Sequence, residues 1–394
     1  MTHAGDNERF DMPELSELRR EIDRIDGEIF RLFSERAGVA EQVAAYKREH
    51  DMRVFDPARE RAKVADAAER APRDLATYAQ VLMELLMEAS RARQHALLAD
   101  AADDGTLALV ERARAETPEL FPRSAHVSCQ GVEGAYSQIA AERIFRRPSI
   151  SYATTFDGVF RAVEQGAADY GVIPVENSTA GSVNQVFDLM MEHSFYVVRT
   201  TRVKVDHNLL ALPGAELSGI REIFSHEQAI NQCAEFLSGL PDVRVRVCEN
   251  TAAAAKVVAE SGRRDVAALS SLPCADLYGL EVLSADVQDR DNNYTRFACI
   301  SKSLEVYPGA DRTSLMIVLP HEPGALYKLL AKFYALDINL LKLESRPIPE
   351  RDFEFMFYFD IECPVAAPEF SSLLATLSPL CQEFRYLGSY AEVI

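Results

Sequence analysis

The first hundred residues carry a long apolar stripe with helical spacing. Between Pro13 and His50 there is no internal proline, and apolar residues recur three or four positions apart at Leu15, Leu18, Ile22, Ile25, Ile29, Leu32, Val39 and Val43. Such residues share one face of an α-helix, so the pattern predicts one amphipathic helix, about 55 Å long at 1.5 Å per residue. Two shorter helices, near 58–70 and 73–98, cannot cover this stripe. We therefore expect a helix from a second chain to pack against it.

From His126 the pattern changes to short apolar runs that alternate with helical segments. Strands are predicted at 126–129, 172–175, 196–205, 209–212, 223–225, 243–248 and 266–270, with a last strand ending at Ser301. Helices are predicted at 136–145 and 183–191, with others between the later strands. Alternating strands and helices predict an α/β domain, here with two lobes and a cleft between them.

The last ninety residues predict strands at 313–319, 338–346, 353–360 and 384–390, with helices at 324–335 and 368–377. This βαββαβ order is ferredoxin-like. The chain is thus predicted to be multidomain. We expect an all-α domain at 1–100, a linker of helix or loop at 101–123, a two-lobed α/β domain at 124–303 and an α+β ferredoxin-like domain at 304–394.

Composition limits the possible partners. The 394 residues are 48% hydrophobic, which is ample for several cores, and the formal net charge is −19 with no prominent basic stretch. This charge argues against binding to nucleic acid or to an anionic membrane, and it requires local cations to hold any anionic substrate. The seven cysteines are scattered without metal-ligand spacing, and no apolar run approaches membrane-spanning length. We expect a cytoplasmic protein with reduced cysteines.

Polar residues interrupt the apolar faces of the helical domain. Arg36 occupies a stripe position between Leu32 and Val39, where a guanidinium needs an anionic partner. The other candidates are Arg19, Lys47, Asp56, Arg59, Glu60, Ser90 and Gln94. Each has an ordinary explanation as well, such as a solvated flank or, for Asp56, a helix cap. Together they predict a pocket for a compact dianion.

The spacing of these residues resembles that of the all-helical chorismate mutases. The resemblance implies that Arg36 and a partner-subunit Arg19 bind the substrate carboxylates, assisted by Arg59 and Ser90. It also implies that Lys47 and Gln94 reach the ether oxygen, while Asp56 and Glu60 hold the region of the ring hydroxyl. A pericyclic rearrangement needs a selected conformer and stabilisation of the charge that builds on the breaking ether bond, and these groups would supply both.

In the α/β domain, polar and glycine residues gather where strands end. The apolar run 172–175 stops at Glu176, Asn177 and Ser178, where ligand crevices of open α/β sheets lie. Comparable junctions contain Gly131, Gly134, Tyr136 and Ser137, then Ser225 and His226, and finally Thr295 and Arg296. A capped turn explains each of them equally well. None is a Walker or Rossmann motif, so a nucleotide cofactor is not expected.

As a set, these segments resemble the signature motifs of the prephenate dehydratases between about His126 and Lys302. The resemblance implies that Thr295 is the main catalytic residue and that the others line the substrate cleft. Thr295 would give a hydrogen bond to the departing hydroxyl, while Glu176 and His226 both remain candidates for the other end of that step. One departure is the sequence Gly131-Val-Glu-Gly134, where many relatives carry Gly-Pro-x-Gly.

Two C-terminal motifs resemble those of the ACT domain attached to these dehydratases. They are Gly324-Ala325-Leu326 and Glu344-Ser345-Arg346-Pro347. The resemblance implies that L-phenylalanine binds at an interface between two such domains, although a purely structural dimerising domain would have the same pattern.

The three resemblances follow one another in the order of the bifunctional chorismate mutase/prephenate dehydratase family. They imply conversion of chorismate to prephenate and then to phenylpyruvate, by a homo-oligomer that we expect to be a dimer. They imply no metal or organic cofactor, and inhibition by L-phenylalanine. Three alternatives stay open: a dehydratase whose helical domain is not catalytic, the use of arogenate in place of prephenate, and a non-catalytic sensor that binds solutes or amino acids.

Overall fold

The computed structural model describes residues 14–50, 52, 56–98, 105–240, 242–349, 351–352, 354–377 and 380–394. The chain divides into two compact units, Met1–Asp103 and Asp104–Ile394. The predicted helix start at Pro13 and strand start at Phe353 lie outside the described residues.

The first unit contains the three predicted helices: α1 (Leu15–Glu49), α2 (Pro57–Arg70) and α3 (Ala76–Leu98). Asp56 accepts a hydrogen bond from the Arg59 amide at 3.1 Å and caps α2, as its place before Pro57 predicts. The buried residues of α1 are the small Ala40 and Ala44, whereas its large apolar residues stay exposed. The apolar stripe is therefore not covered by the other described helices of the first unit.

The second unit contains ten further helices and fifteen strands among its described residues. The helices are α4 (Thr106–Glu116), α5 (Tyr136–Ile144), α6 (Phe156–Glu164), α7 (Asn184–Glu192), α8 (Glu227–Gln232), α9 (Ala234–Ser238), α10 (Thr251–Ser261), α11 (Pro273–Tyr278), α12 (Ala325–Ala335) and α13 (Pro368–Leu377). A short 3-10 helix spans Leu217–Gly219.

The strands are β1 (His126–Gln130), β2 (Ser149–Ala153), β3 (Tyr170–Asn177), β4 (Gly181–Ser182), β5 (Tyr196–Lys204), β6 (Asn208–Ala211), β7 (Glu222–Ser225), β8 (Arg244–Val247), β9 (Val266–Ser270), β10 (Glu281–Ser284), β11 (Tyr294–Ser301), β12 (Arg312–Val318), β13 (Asn339–Pro347), β14 (Phe355–Glu362) and β15 (Glu383–Val393).

Two sheets form the predicted lobes of the α/β domain. The first lobe is built on the order β5-β11-β3-β1-β2, with β4 paired to β3, and the second on β10-β6-β9-β7-β8. The chain crosses from the first lobe to the second after β5 and returns before β11. The two-lobed α/β prediction is confirmed, but β2, β4, β10 and α6 were not predicted.

The C-terminal subdomain, β12 to β15 with α12 and α13, has the predicted βαββαβ order and the strand order β13-β14-β12-β15. One face of this sheet packs under α12 and α13. On the other face Met316 and Tyr358 pack against Val186 and Phe187 of α7 in the first lobe. Strand β15 runs beyond the predicted end and pairs in parallel with β5, so that the subdomain and the first lobe share one sheet.

The predicted linker contributes a helix to the core of the C-terminal subdomain. Val110 and Ala113 of α4 are buried in the cluster that contains Leu373 and Leu377 of α13.

Candidate active sites

A cavity in the second unit has a volume of about 600 Å³ and is lined by residues from both lobes. Its lining residues are Thr179, Ala180, His226, Glu227, Gln228, Asn231, Gln232, Gln288, Asp289, Arg290 and Asn293. They come from the turn after β3, from α8 and from the segment that precedes β11. Five of the eleven lining side chains are amides, and Glu227, Asp289 and Arg290 add charged groups, which makes a suitable surface for a small polar substrate.

Asn177 joins the predicted catalytic threonine to this cavity. Its Nδ2 donates to Thr295 Oγ1 at 3.0 Å and to Asn293 Oδ1 at 2.8 Å. Its Oδ1 accepts hydrogen bonds from the backbone amides of Thr179 and Ala180. Asn177 and Thr295 are direct cross-strand neighbours on β3 and β11. Two motifs more than a hundred residues apart therefore meet just behind the cavity wall.

Gln232 is a site residue that the sequence analysis missed. Its Nε2 donates to Thr179 Oγ1 at 2.9 Å, and its Oε1 accepts from Asn293 Nδ2 at 2.9 Å. The same oxygen faces His207 Nε2 at 2.9 Å. Gln232 thus connects α8 of the second lobe with the turn after β3 and with the segment that precedes β11. Its position six residues after His226 on a short helix was the only signal available.

His226 and Arg290 bring donors to the cavity. Burial lowers the pKa of His226 below its ordinary value of 6.5, so that the ring is neutral at neutral pH. Its Nδ1 accepts from the Gln228 amide at 3.3 Å, which leaves the ring proton on Nε2. Arg290 is exposed and has no ion-pair partner among the described residues. The nearby Asp289 carboxylate accepts from the Ala234 and Glu235 amides.

Arg296 and Glu176, both predicted to line the cleft, are not among its lining residues. Arg296 faces Glu176 at 3.6 Å, Asp360 at 3.7 Å and Glu392 at 3.4 Å. The other oxygen of Glu176 accepts from Lys342 Nζ at 2.8 Å. Carboxylates of the C-terminal subdomain therefore surround the predicted substrate-binding arginine.

The remaining predicted residues of the α/β domain have structural contacts, mostly hydrogen bonds to the backbone. Gly134 has φ +88°, and a side chain there would lie 2.7 Å from Cys274 Sγ, so this close approach between lobes requires glycine. Tyr136 donates to the Asp206 carbonyl and Ser137 to the Gln130 carbonyl. Ser225 Oγ donates to the Leu269 carbonyl. Gly131, at the start of the turn after β1, has φ +110°. Ser178 Oγ donates to the Asn292 carbonyl and accepts from the Tyr294 amide.

The helical unit has a cavity of about 290 Å³ lined by Phe33, Arg36, Ala37, Ala89, Ser90 and Arg93. Arg36 Nη1 donates to Ser90 Oγ and to the Leu86 carbonyl, and burial lowers the pKa of this guanidinium. Arg36 and Ser90, predicted to act together, are in contact. Arg36, the anomalous arginine of the stripe, is therefore hydrogen-bonded to two groups of α3.

The other predicted mutase residues are not among the lining residues of this cavity. Gln94 is buried, and its Oε1 has no hydrogen-bond partner among the described residues, while Lys47 is half-buried near the end of α1. Glu60 pairs with Arg91, and Arg59 is exposed. Arg19 lies seventeen residues before Arg36 on the same helix, about 25 Å away along its axis. Arg19 therefore cannot reach the cavity of its own chain.

The predicted regulatory residues occupy two elements of the C-terminal subdomain. Gly324 has φ +83° and precedes α12, whose Ala325 and Leu326 pack against the subdomain core. On β13, Glu344 accepts from Ser182 Oγ, and Arg346 makes two hydrogen bonds to Asp188 at 2.7 and 2.8 Å. Ser345 lies opposite Phe357 of β14, and Pro347 ends the strand.

The described ranges contain neither a metal-binding cluster nor a membrane-spanning helix. No group of three or more His, Cys, Asp or Glu side chains there is arranged to hold a metal ion. No helix in those ranges is long and apolar enough to cross a membrane.

Two family models match the chain in separate regions. The chorismate mutase type II model matches residues 18–95, and the prephenate dehydratase model matches residues 127–305. These regions coincide with the helical unit and with the two lobes.

Individual proteins extend the match. The chain is 31% identical over 386 residues to a bifunctional chorismate mutase/prephenate dehydratase of Aquifex aeolicus, covering 97% of this chain and 99% of the relative. It is 36% identical over 281 residues to arogenate dehydratase/prephenate dehydratase 1 of Arabidopsis thaliana, covering 67% and 71%. A prephenate dehydratase structure from Arthrobacter aurescens, in complex with L-Phe, is 29% identical with a TM-score of 0.62, covering 68% of this chain and 90% of that one. This chain belongs to the bifunctional chorismate mutase/prephenate dehydratase family.

Proposed function

We propose that this chain rearranges chorismate to prephenate in its helical unit and converts prephenate to phenylpyruvate in the cleft between its lobes. The observation that carries the proposal is the match to a bifunctional relative along nearly the whole chain. The contacts of Arg36 with Ser90 and of Thr295 with Asn177 support it, since both join predicted partners distant in sequence.

The mutase step depends on charge placement. Arg36 is held in the cavity by Ser90 and the Leu86 carbonyl, which orient its remaining donors toward an anion. Lys47 and Gln94 would stabilise the negative charge that builds on the ether oxygen as its bond to carbon breaks. Arg19 of a second copy would supply the other carboxylate contact, consistent with its distance from Arg36.

In the dehydratase step the ring carboxylate leaves as CO₂. The electrons of the broken bond enter the ring and expel hydroxide at the opposite carbon, which takes up a proton to leave as water. The aromatic product supplies the driving force, so the protein needs only to orient the substrate and assist the leaving hydroxyl.

Thr295 suits the second task. Asn177 donates to its oxygen, and no acceptor among the described residues takes the hydroxyl hydrogen. That hydrogen is therefore available to a leaving hydroxyl. Of the two candidates for the other end, we favour His226, because it lines the cavity with a proton on Nε2 while Glu176 faces Lys342 and Arg296.

Arg290 is our candidate for the substrate-carboxylate contact in the cleft. It lines the cavity without an ion-pair partner among the described residues, whereas the guanidinium of Arg296 is matched by acidic side chains.

We assign the C-terminal subdomain to the ACT type, with L-phenylalanine as a feedback inhibitor. Its ferredoxin-like topology, the two motifs at Gly324–Leu326 and Glu344–Pro347, and the L-Phe complex of the related dehydratase support this assignment. We further propose a homodimer, because the exposed stripe of α1 and the distant Arg19 both require a second copy.

The test is purified full-length protein with chorismate as the sole substrate, following loss of chorismate and formation of phenylpyruvate with and without L-phenylalanine. Phenylpyruvate that forms and is suppressed by L-phenylalanine supports every part of the proposal. Accumulated prephenate would refute the dehydratase assignment, and untouched chorismate would refute the mutase assignment. Parallel assays with prephenate and arogenate decide which of the two the dehydratase prefers.

A further inference from the structure

Four alternating charges connect the C-terminal subdomain with the dehydratase site. Lys342 of β13 donates to Glu176 of β3 at 2.8 Å, and Glu176 lies 3.6 Å from Arg296 of β11. Arg296 in turn lies 3.7 Å from Asp360 of β14. Lys342 and Asp360 are direct cross-strand neighbours, which closes the set. We refer to these four residues as the charge ring.

Three of the four side chains in the charge ring are largely shielded from water, while the fourth, Glu176, is 32% exposed. The side chains of Lys342 and Asp360 are 7% and 4% exposed, and that of Arg296 is 19% exposed. Asp360 also accepts hydrogen bonds from Ser314 and Tyr390. Ion pairs with this little exposure are sensitive to geometry, because a displaced partner leaves a charge that water cannot reach.

The ring adjoins the catalytic pair directly. Arg296 follows Thr295 in the chain, and Glu176 precedes Asn177. The pairs Arg296–Glu176 and Thr295–Asn177 are consecutive rungs between β11 and β3. A shift of Glu176 or Arg296 therefore moves the hydrogen bond between Asn177 and Thr295.

On its other side the ring adjoins the predicted effector site. Strand β13 alternates, so Lys342, Glu344 and Arg346 all point to the first lobe, where they contact Glu176, Ser182 and Asp188. Ser345 lies opposite Phe357, which packs on the core under α12 and α13. The predicted regulatory motif on β13 therefore has side chains facing the first lobe and side chains facing the core of the C-terminal subdomain.

We propose that the charge ring couples L-phenylalanine binding in the C-terminal subdomain to the dehydratase site, with Lys342 as the residue that passes a displacement of β13 to Glu176. This inference rests on the proposed function. A coupling residue acts on the effect of one ligand upon the other site, and its removal leaves each site able to bind.

The test compares Lys342→Met, which keeps most of the length of the side chain and removes the charge, with Lys342→Arg and with Lys256→Met in full-length protein. Lys256 is an exposed lysine on α10 of the second lobe. The readouts are calorimetric L-phenylalanine affinity and the ratio of inhibited to uninhibited prephenate turnover. The mutase rate of each preparation and its thermal unfolding report the integrity of the fold.

We expect Lys342→Met to bind L-phenylalanine and to need at least about tenfold more of it for half-inhibition, or to keep most of its turnover at saturation. Lys342→Arg and Lys256→Met should be inhibited like the parent protein. Coupling is reciprocal, so phenylpyruvate should weaken L-phenylalanine binding to the parent protein but not to Lys342→Met.

Lys342→Met that binds L-phenylalanine and is inhibited like the parent refutes the inference. Loss of L-phenylalanine binding also refutes it, since Lys342 would then belong to the effector site. If Lys342→Met fails to fold, the isosteric Asp360→Asn takes its place with the same expectations. A parent protein that L-phenylalanine does not inhibit refutes the proposed regulation itself, a distinguishable result.

Discussion

The hydroxyl of Thr295 is a weak acid, and its environment decides what it can do. Because Asn177 donates to its oxygen, the hydroxyl hydrogen is available for donation to a bound substrate. Replacing Thr295 with Ala should lower kcat for prephenate by about 10²- to 10⁴-fold and change KM little. Thr295→Ser, which retains the hydroxyl, should recover most of this loss. Equal turnover by the Ala and Ser variants in a steady-state phenylpyruvate assay would remove Thr295 from the mechanism.

Arg290 should act on binding more than on turnover, since it lines the cavity but belongs to neither element of the Thr295–Asn177 pair. Arg290→Gln should raise KM for prephenate about tenfold or more, the usual size for a lost charge-assisted contact. The matched control is Arg221→Gln. Arg221 is exposed and precedes β7, whereas the cavity lies beyond the other end of that strand. An unchanged KM in Arg290→Gln would leave the substrate carboxylate without its proposed partner.

His207 makes the stability of the second unit depend on pH. It is 2% exposed, its Nε2 faces Gln232, and its Nδ1 has no hydrogen-bond partner among the described residues. Burial lowers its pKa in the folded state below the ordinary 6.5, although Gln232 and Asp206 act in the opposite direction. As pH falls through 6.5, the unfolded chain takes up the proton first. The contribution to stability is thus complete above that pH and is lost below it.

The unfolding temperature should therefore drop between pH 7 and pH 5. His207→Gln, whose amide can still donate to Gln232, should show a shallower drop, with the remainder due in part to His226. Scanning calorimetry at several pH values measures both slopes. Identical slopes would mean that His207 does not titrate differently in the two states.

At the scale of elements, α1 is the clearest case of a helix that needs another chain. Ile22 and Ile29 are 56% and 53% exposed, on a stripe long enough to bury a partner helix. Ile29→Lys should dissociate the oligomer and abolish mutase activity, because Arg19 could no longer reach a neighbouring cavity. Ser34→Lys, on the opposite side of the helix, should do neither. Light scattering with a chorismate assay tests this, and an active monomer would contradict it.

Elements with strong periodicity could be predicted from the sequence, and α1, α12 and β11 follow their patterns closely. The strand β2 and helix α6 were missed, although Thr155 caps α6 and Phe156, Val159, Phe160 and Val163 have helical spacing. These elements are short, and a run of five residues carries little periodic signal.

In the candidate site, too, some features could be predicted from the sequence and others could not. Local motifs predicted which residues gather at strand ends, and Asn177 does meet Thr295. They could not predict the partners of Arg296, because Asp360 and Glu392 follow it by 64 and 96 residues and meet it only through the pairing of β15 with β5. Long-range pairing depends on the whole sheet, so no local pattern encodes it.

At the scale of the molecule, residues 104–394 form one compact unit. The shared sheet joins the first lobe to the C-terminal subdomain, and Glu392 of β15 is paired with arginines of β5, β11 and β12. Its side chain is only 3% exposed. A displacement of β15 in the subdomain would therefore be passed to β5 of the first lobe, with which it pairs.

The boundary of the second unit determines which fragments of the chain should fold by themselves. Residues 104–394 form one unit, in which α4 buries Val110 and Ala113 against the subdomain core and Thr117 accepts a hydrogen bond from the Val306 amide. A fragment of residues 104–394 should fold, dehydrate prephenate and respond to L-phenylalanine. A fragment of residues 124–394 should be less stable by about 2 to 5 kcal/mol, because the apolar surface under α4 becomes exposed. Urea unfolding of the two fragments measures the difference. Equal stabilities would show that α4 is a linker, as its charge-rich sequence suggests, and that its packing contributes nothing to the fold.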